Sequence, residues 1–576
     1  MNVLQDFKSG FQSHHNGNVI SVGNYSEAIE KTALQLIAQN SIERLYNRDV
    51  SLWSDDEPGK REASNRLNWL KVISPDSDVV KQSKALLEQC KQDGYSHTLL
   101  IGMGGSSLAP EVYQEIQRNL NPENAKKGLS LSIIDSIDPN QVAAAVNRAP
   151  IEKTLFIVSS KSGTTAEGDA IFAFLWRKCE LECEGNPGDH FVAITDPGTV
   201  LAENGQKRHF RKVFSADPQV GGRFSALIAF GIVPAVLCGI DVATMLKDAK
   251  KIALSCANTN LSQNPGAVLA IFLSAGYAEG ANKVTIVSDP PVASLGSWLE
   301  QLIAESSGKQ SKGIVPVDGE PLISDPAKYS RDRLFIYLQS GGKNEVEINR
   351  IAAAGFPVLS LEIQKAESLG AFFYMWEAAI ALTCSMIRVN AFDQPDVQSA
   401  KDATNKNLDY FHNNGKLPEI NPVTQNGKFK IYSNRINIDT SKNDFKIYNV
   451  IKTSTNLSDF VAINAFLERN KSTAVQLQKI QKIILEASGV PVSCGFGPRY
   501  LHSTGQLHKG GKDEGIFIIL SVDEVEDIEI PTWNMTFKTL HMAQTIGDFE
   551  ALKSRDRRVL WVRCRDYSEL ECLFGI

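Results

Sequence analysis

The sequence has little of what marks exported, disulfide-bonded or nucleic-acid-binding proteins. Its nine cysteines, spread over 576 residues, form no CxxC pair, which disfavours a disulfide framework or thiolate metal site and favours a reducing, cytoplasmic setting. The first residues, MNVLQDFKSGFQSHHNGN, contain no apolar signal core. The net charge of -6 provides no basic excess. We therefore expect a cytoplasmic protein that acts on small molecules and binds no nucleic acid.

One apolar run, at residues 371–389, is long enough to suggest a membrane span. Glu377 lies inside it, and a charged side chain at the centre of a bilayer costs roughly 2.5–3.5 kcal/mol. We interpret the run as a buried core helix and expect no contact with a membrane.

Strand-like and helical patterns alternate along most of the chain. HTLLIG, LSIIDSIDP, TLFIVSS and HFVAITD are apolar runs that end in Gly, Asp, Pro or Ser, and helical patterns separate them. KVTIVSD, RLFIYLQSGG and PVLSLEI repeat this texture. Such alternation predicts βαβ units in parallel, doubly wound sheets. The sequence therefore predicts an α/β protein with two αβα sandwich domains.

The stretch FIVSSKSGTTAEG, at residues 156–168, joins an apolar strand to a loop rich in hydroxyl groups. Lys161 adds a positive charge, and Gly163 lets backbone amides approach a ligand closely. A helix starting near Thr165 would point free N–H groups at an anion. The loop therefore predicts a phosphate site, with a plain polar connection as the alternative. Its hydroxyl residues are Ser159, Ser160, Ser162, Thr164 and Thr165.

A second loop, IGMGGSSLAP, follows the strand-like run at 98–101. Both loops would lie at carboxyl ends of parallel strands, where they could face one ligand. The glycines fit the dinucleotide fingerprint GxGxxG poorly, so NAD binding is disfavoured. Ser106 is interpreted as a ligand of the same anion or of a sugar hydroxyl, with helix capping as the alternative.

Two charged residues also stand where a ligand could reach them. Arg223 follows two glycines in VGGRFSAL, which indicates a loop shaped for close approach. Glu305 in QLIAESSGK shares a helix face with Gln301, one turn earlier. Taken singly, a surface arginine and a solvated glutamate are the commoner interpretations.

Together these stretches resemble the phosphoglucose isomerase family, whose sandwich domains are of the sugar isomerase type. Five blocks follow the family's order: IGMGGSSLAP, SSKSGTT, VGGRFSAL, QLIAESSGK and NAFDQPDVQSAK. GPRYLHSTGQLHKGG and GDFEALKSRDRRVL are similar to the isomerase half of bifunctional transaldolase/phosphoglucose isomerase proteins. Only ~100 residues precede the first block, and a TIM barrel needs roughly 200 or more. We expect the isomerase half alone.

The predicted organisation has four parts. They are an N-terminal helical arm at 1–70, a first sugar isomerase domain with the phosphate loops at 71–250, a second at 251–404, and a C-terminal α+β portion at 405–576. The last begins where Asn, Lys and Thr become frequent and strands such as KFKIYSN and GIFIILSV follow.

The resemblance implies an aldose–ketose isomerase that interconverts glucose 6-phosphate and fructose 6-phosphate by ring opening and a cis-enediol. No cofactor and no metal are expected. Glu305 would move the proton, Arg223 would stabilise the enediolate charge, and Lys401 would help to open the ring. The residues expected to hold the sugar phosphate are Ser106, Ser160, Lys161, Ser162, Thr164, Thr165, Gln301 and Gln394.

The family's ring-opening histidine has no counterpart at its usual place between the Glu and FDQ blocks. No histidine lies between His209 and His412. The segment HSTGQLHKGG has the family's H-x3-Q-x4-G spacing, but it follows the FDQ block by about a hundred residues. We expect His502 to reach the same place through an altered chain order, with His508 as the alternative. Family members are commonly homodimers that take this histidine from the partner, so a homodimer and a monomer both stay open.

Two other functions fit parts of the pattern. A dual phosphoglucose/phosphomannose isomerase would use the same base and enediol, because pocket contacts alone separate the two sugars. A non-catalytic phosphosugar-sensing module would use the same fold. The set of Glu305, Arg223 and Lys401 favours an enzyme, since a sensor has no need of it.

Overall fold

The computed structural model describes residues 4–9, 17–439 and 445–576, and three larger β-sheets organise them. Strands are numbered in chain order. Each sheet has parallel strands at its centre, and helices connect these strands. The predicted α/β class with parallel sheets is therefore confirmed.

The first sheet contains the four early strand-like runs and one further strand. Its strands are all parallel, in the order β3-β2-β4-β5-β6. They are β2 (His97–Gly102), β3 (Ser130–Ile134), β4 (Thr154–Ser159), β5 (Phe191–Thr195) and β6 (Lys212–Ser215). The helices around them are Asp78–Gln92, Leu108–Leu120, Pro122–Ala125, Pro139–Val146, Ala166–Glu182, Val200–Lys207 and Ala229–Leu237. Gly102 lies opposite Ser159, so the two predicted ligand loops begin side by side.

The second sheet has four parallel strands and an antiparallel edge strand, in the order β1-β10-β9-β7-β8. Its strands are β1 (Asn18–Ser21), β7 (Lys283–Ser288), β8 (Val315–Asp318), β9 (Arg333–Gln339) and β10 (Val358–Glu362). Its helices are Val242–Cys256, Pro265–Ala278, Ser294–Ser307 and Glu345–Ala353. The predicted N-terminal arm thus supplies a strand as well as the helices Ser26–Ala38, Ser41–Tyr46 and Glu57–Ser64.

The long apolar run forms the helix Leu369–Met386, which is buried along almost its whole length. Within the described residues it alone is long and apolar enough to span a membrane, but 94% of its most apolar stretch is buried inside the protein. Trp53 Nε1 donates to Ala381 O at 2.8 Å and fixes the helix to the N-terminal arm. Burial raises the pKa of Glu377 well above its usual range, so a neutral carboxyl fits this core. The run is therefore the predicted core helix.

The C-terminal region folds around a third sheet, ordered β11-β12-β18-β15-β13-β14. The four strands from β18 to β14 are parallel, and β11 and β12 form an antiparallel edge. The strands are β11 (Thr424–Gln425), β12 (Phe429–Asn434), β13 (Phe460–Phe466), β14 (Val492–Phe496), β15 (Gly515–Val522) and β18 (Arg558–Cys564). A small hairpin of β16 (Glu529–Ile530) and β17 (Met535–Thr536) lies beside it. The helices are Ile447–Ser454, Lys471–Ser488, Gly505–Gly510, Phe537–Ser554 and Tyr567–Phe574. The C-terminal region therefore contains both helices and strands, as expected, and the strands at the centre of its sheet are parallel and connected by helices.

One helix, Gln398–Asn414, joins the second sheet's region to the third and crosses the predicted boundary between 404 and 405. It packs along the helix Phe537–Ser554. Asn407 Nδ2 donates to Ala543 O at 3.2 Å, and a Cβ on Gly547 would lie 2.6 Å from Thr404 Oγ1. Only glycine permits so close a contact between the two helices.

Buried charges tie the C-terminal region to the first sheet. Arg499 Nη1 donates to Asp135 Oδ2 at 2.5 Å, and its Nη2 donates to Glu111 on the helix Leu108–Leu120. Burial opposes the charge of Glu111, but Arg469 and Arg499 lower its pKa to about 2. These contacts fix the beginning of the segment 497–511, named here the histidine segment, against the first sheet.

Replacement of Arg499 by methionine is expected to destabilise the protein strongly. It removes one guanidinium from two buried carboxylates and leaves them only the partly exposed Arg469, and loss of one partner of a buried pair costs roughly 3–5 kcal/mol. Urea titrations of the wild type and the variant measure this decrease in the free energy of unfolding. The matched control is Arg177→Met, since Arg177 pairs at 3.0 Å with Glu180 while their side chains are 56% and 39% exposed. Exposed pairs contribute about 0–1 kcal/mol, so equal losses in the two variants would contradict the prediction.

Candidate active site

The glycine loop after β2 packs backbone to backbone against the loop of Arg223. Gly104 has a φ of +54°, and a Cβ on Gly105 would lie 2.0 Å from Gly222 O. Ser225 Oγ donates to Gly105 O at 3.3 Å. Ser106 is buried in the same loop. Gly105 therefore serves this close approach of two backbone segments, and the role of the loop in binding a ligand stays a prediction.

The hydroxyl-rich loop after β4 is ordered by its own side chains. Ser160 Oγ lies 3.0 Å from Thr165 Oγ1 and accepts from Gly163 N at 3.1 Å. Ser162 Oγ accepts from Thr164 N at 3.3 Å. The helix Ala166–Glu182 begins directly after Thr165, as the phosphate prediction requires. The free N–H groups of its first turn adjoin the hydroxyls, which is a favourable arrangement for an anion.

Lys161 points away from this arrangement. Its Nζ lies 2.5 Å from Asp196 Oδ2 and 3.3 Å from Pro218 O. The positive charge of Lys161, which the sequence predicted to face the phosphate, is therefore paired with the carboxylate of Asp196. The two residues are 35 positions apart in the sequence, so no local sequence pattern predicts this ion pair.

Glu305 is the centre of a hydrogen-bonded cluster on the helix Ser294–Ser307. Its side chain is buried, with 8% of the residue's surface exposed. Gln301 Nε2, one turn earlier, donates to Glu305 Oε2 at 3.0 Å. Arg223 Nη1 lies 3.2 Å from Glu305 Oε1. Both carboxylate oxygens thus have fixed partners.

Arg223 is held rigidly by the protein around it. Nε donates to Ser306 Oγ at 2.9 Å, and Nη2 donates to Ala391 O at 2.6 Å and Asp393 O at 3.0 Å. Nη1, which faces Glu305, also donates to Gln394 Oε1 at 2.7 Å. Since Gln394 is exposed, this last bond is the one that a ligand oxygen can replace most easily.

Lys309 supports the same segment from behind, a role that the sequence did not reveal. Its Nζ donates to Asn390 O at 2.7 Å, to Asp393 O at 2.6 Å and to Asp393 Oδ1 at 2.7 Å. Burial and the charge of Arg223 lower the pKa of Lys309 to about 8. The lysine fixes the backbone on which Arg223 and Gln394 depend.

The histidine segment brings His502 between the two loops and the Glu305 helix. His502 Nε2 lies 3.0 Å from Glu167 Oε1, and His502 O accepts from Gln301 Nε2 at 2.9 Å. The alternative, His508, is buried against the rings of Tyr500 and Phe517. Burial lowers the pKa of His508 well below its usual range, as is typical of a neutral core histidine.

Glu167, two residues beyond the phosphate loop, is a candidate functional residue that the sequence did not indicate. It is 4% exposed. Burial opposes its charge, but the neighbouring His502 and a hydrogen bond from Gln544 lower the pKa of Glu167 to about 2. Acidic residues are common in the first turn of a helix because the helix dipole favours them there. The position of Glu167 in the sequence therefore does not indicate a role in the site.

A cavity of about 160 Å³ is lined by some of the predicted site residues, but not by Ser106, Ser160 or Ser162. Its lining includes Thr164, Thr165, Lys401, His502 and Gln544. Glu305, Arg223, Gln301 and Gln394 form the neighbouring cluster, and Gln301 connects the two through His502 O. Lys161 lies outside this cavity, in its pair with Asp196.

The phosphoglucose isomerase family matches residues 77–320, a range that contains both loops, Arg223 and Glu305. Glucose-6-phosphate isomerase of Carboxydothermus hydrogenoformans is 27% identical over 389 residues, covering 57% of this chain and 82% of that protein. Residues 77–320 match the phosphoglucose isomerase family. The family predicted from the five sequence blocks is therefore confirmed, and the likeness to bifunctional proteins stays a prediction.

Other relatives extend the match beyond this range. A glucose-6-phosphate isomerase of Prochlorococcus marinus is 26% identical over 478 residues, 75% of this chain and 85% of that protein. The crystal structure of a hypothetical protein from Thermus thermophilus has a TM-score of 0.56 and 21% identity, over 67% of this chain and 98% of that one. At this identity the structural likeness concerns the fold.

Replacement of Gly104 by alanine is expected to disturb the junction of the two clusters. The new Cβ would lie 2.7 Å from His502 O and 2.8 Å from Gln301 Nε2, so overpacking of about 1–3 kcal/mol adds to the strain of a left-handed alanine. Calorimetric binding of a hexose phosphate should weaken. Gly94→Ala is the control, because φ there is +82° with nothing within 4 Å of the Cβ. Equal effects at both glycines would contradict the prediction.

Proposed function

We propose that this member of the family interconverts glucose 6-phosphate and fructose 6-phosphate. The observation that carries the proposal is the fixed Glu305 carboxylate, with Arg223 at 3.2 Å and Gln301 at 3.0 Å, beside the segment of His502. A carboxylate held on a firm helix can reach both carbons between which the proton moves. The relatives named glucose-6-phosphate isomerase, matched over 82% and 85% of their lengths, support this choice.

The phosphate of the substrate would bind at the hydroxyl-rich loop. Thr164 and Thr165 border the cavity, and the first turn of the helix Ala166–Glu182 supplies N–H groups and the positive end of a helix dipole. Ser106, Ser160 and Ser162 would complete the hydroxyl set. Lys161 contributes less than the sequence suggested, because Asp196 already holds it.

Ring opening would be the task of His502 and Lys401, which border the same cavity. Glu167 occupies His502 Nε2 at 3.0 Å, so Nδ1 is the nitrogen left to exchange a proton with the sugar. The ring C–O bond breaks as one sugar oxygen gains a proton and the anomeric hydroxyl loses one. The product is the open-chain carbonyl form.

Glu305 would then carry the isomerisation. It removes the proton from the carbon next to the carbonyl, which leaves a cis-enediolate, and returns that proton to the former carbonyl carbon, while the hydroxyl proton moves from one enediol oxygen to the other. The enediolate oxygen would replace the exposed Gln394 as the acceptor at Arg223 Nη1, which would stabilise its charge. The other hydrogen bonds of Arg223 keep the guanidinium in place. Such preorganised charge stabilises the transition state without rearrangement.

Glu305→Gln should bind fructose 6-phosphate with nearly unchanged affinity but lose about 10²- to 10⁴-fold in kcat, since an amide cannot take the proton. A coupled assay and calorimetry measure the two quantities. Glu300→Gln is the control on the same helix. Burial and Asp318 raise the pKa of Glu300 well above its usual range, so the amide replaces a neutral acid. Full activity of Glu305→Gln would exclude Glu305 as the base.

We further propose that one chain closes its own site and that the protein works in the cytoplasm. Support comes from the contact of His502 with Glu167 within one chain and from nine free cysteines, six of them buried. Thiols that stay unpaired are usual in reducing compartments.

A mixture of Glu305→Gln and His502→Ala is expected to stay inactive, because each chain would need both residues. The coupled assay on the mixed variants measures this, with light scattering for the mass of the wild type. We also expect the wild type to be fully active at dilutions at which light scattering gives the mass of a monomer. Recovery of activity in the mixture would mean that two chains share the site.

A further inference from the structure

Gln544 enters the site from the C-terminal region. It lies on the helix Phe537–Ser554 and is 5% exposed. Its side chain borders the cavity that Thr165, Lys401 and His502 also line. Neither the five sequence blocks nor the histidine pattern includes this position.

The amide of Gln544 has a forced orientation. Its nitrogen, Nε2, lies 2.7 Å from Glu167 Oε1, the same oxygen that lies 3.0 Å from His502 Nε2. An ionised carboxylate only accepts hydrogen bonds, so the nitrogen of the amide must face it and the oxygen must face away.

The oxygen of the amide is left without a protein partner. Gln544 Oε1 is buried and has no hydrogen bond among the described residues. A buried acceptor without a partner costs free energy, and such atoms are rare in folded proteins. Because Gln544 is one of the residues that line the cavity, a sugar bound there is a source of the missing donor. A sugar hydroxyl can donate, whereas an ionised phosphate or a carbonyl cannot.

We propose that Gln544 binds a hydroxyl of the cyclic sugar through Oε1 and, through Nε2, positions Glu167 and the His502 ring for ring opening. The proposal rests on the isomerase function proposed above. The residue would serve two requirements at once, since Nε2 supports Glu167 and Oε1 is left for the sugar. A neutral amide also completes the pair of Glu167 and His502 without adding a second negative charge.

The test separates ring opening from proton transfer. NMR exchange spectroscopy measures the interconversion of the anomers of glucose 6-phosphate, which needs ring opening alone, and a coupled assay measures isomerisation. Gln544→Met removes both hydrogen bonds and should lower both rates by about 10- to 100-fold, as expected when a hydrogen bond to a charged group is lost. Glu305→Gln should lower isomerisation and leave anomer exchange within twofold of the wild type.

Gln481→Met is the matched control. Gln481 is also a buried glutamine of the C-terminal region, 3% exposed, and its Nε2 donates to Val492 O at 3.0 Å, away from the cavity. Its anomer exchange should stay within twofold of the wild type. Anomer exchange of Gln544→Met within twofold of the wild type, or a decrease equal to that of Gln481→Met, would overturn the proposal.

A second variant, Gln544→Glu, keeps the length of the side chain and its acceptor. As a carboxylate it repels Glu167, and as a neutral acid it can donate to Glu167 as the amide does. Its rate of anomer exchange relative to the wild type should therefore rise as the pH falls, and a ratio independent of pH would overturn the positioning role. A wild-type protein without isomerisation would instead refute the proposed function, so the two failures are distinct.

Discussion

The buried contact of Arg499 with Glu111 and Asp135 is the interaction on which the arrangement of the site depends. Buried ion pairs add little net stability, because desolvation offsets their attraction, but separating the partners is costly. They therefore act here as a constraint on geometry. Farther along the histidine segment, Gln506 Nε2 donates to Asp396 Oδ2 at 2.8 Å and Lys509 Nζ lies 2.7 Å from Asp548 Oδ1. With three buried polar anchors, His502 has little freedom to leave its place.

The site assembles from elements that three sheets hold in place. The loops after β2 and β4 provide the proposed anion-binding end, and a helix of the second sheet provides Glu305. The third sheet's region provides His502 and Gln544. These residues come from three separate parts of the chain, so the proposed base and the proposed ring-opening histidine meet only in the folded protein. Short hydrogen bonds around Arg223 and Glu167 then fix the charges before any ligand arrives.

The sequence predicts the features of this protein that depend on local order. The strand-like runs of the first two sheets, the helix Asp78–Gln92 and the two loops follow from periodicity and glycine placement. Partners distant in sequence are beyond such reasoning. Glu167 and His502 are 335 positions apart, and Gln544 is an ordinary glutamine in a helix. Strands β13 and β14 are not predicted by the sequence, because a short apolar run without regular alternation fits a buried helix segment as well as a strand.

The strand order of the third sheet has a consequence for how the protein comes into being. β18 lies between β12 and β15, so residues 558–564 must be synthesised before the centre of that sheet can close. Domains generally fold in order of synthesis, and both phosphate loops and Glu305 precede the third sheet in the chain. During translation the anion-binding half can therefore form early, whereas His502 and Gln544 gain their fixed positions last. In a nascent chain the proposed ligand loops would thus take shape before the residues proposed for ring opening are in place.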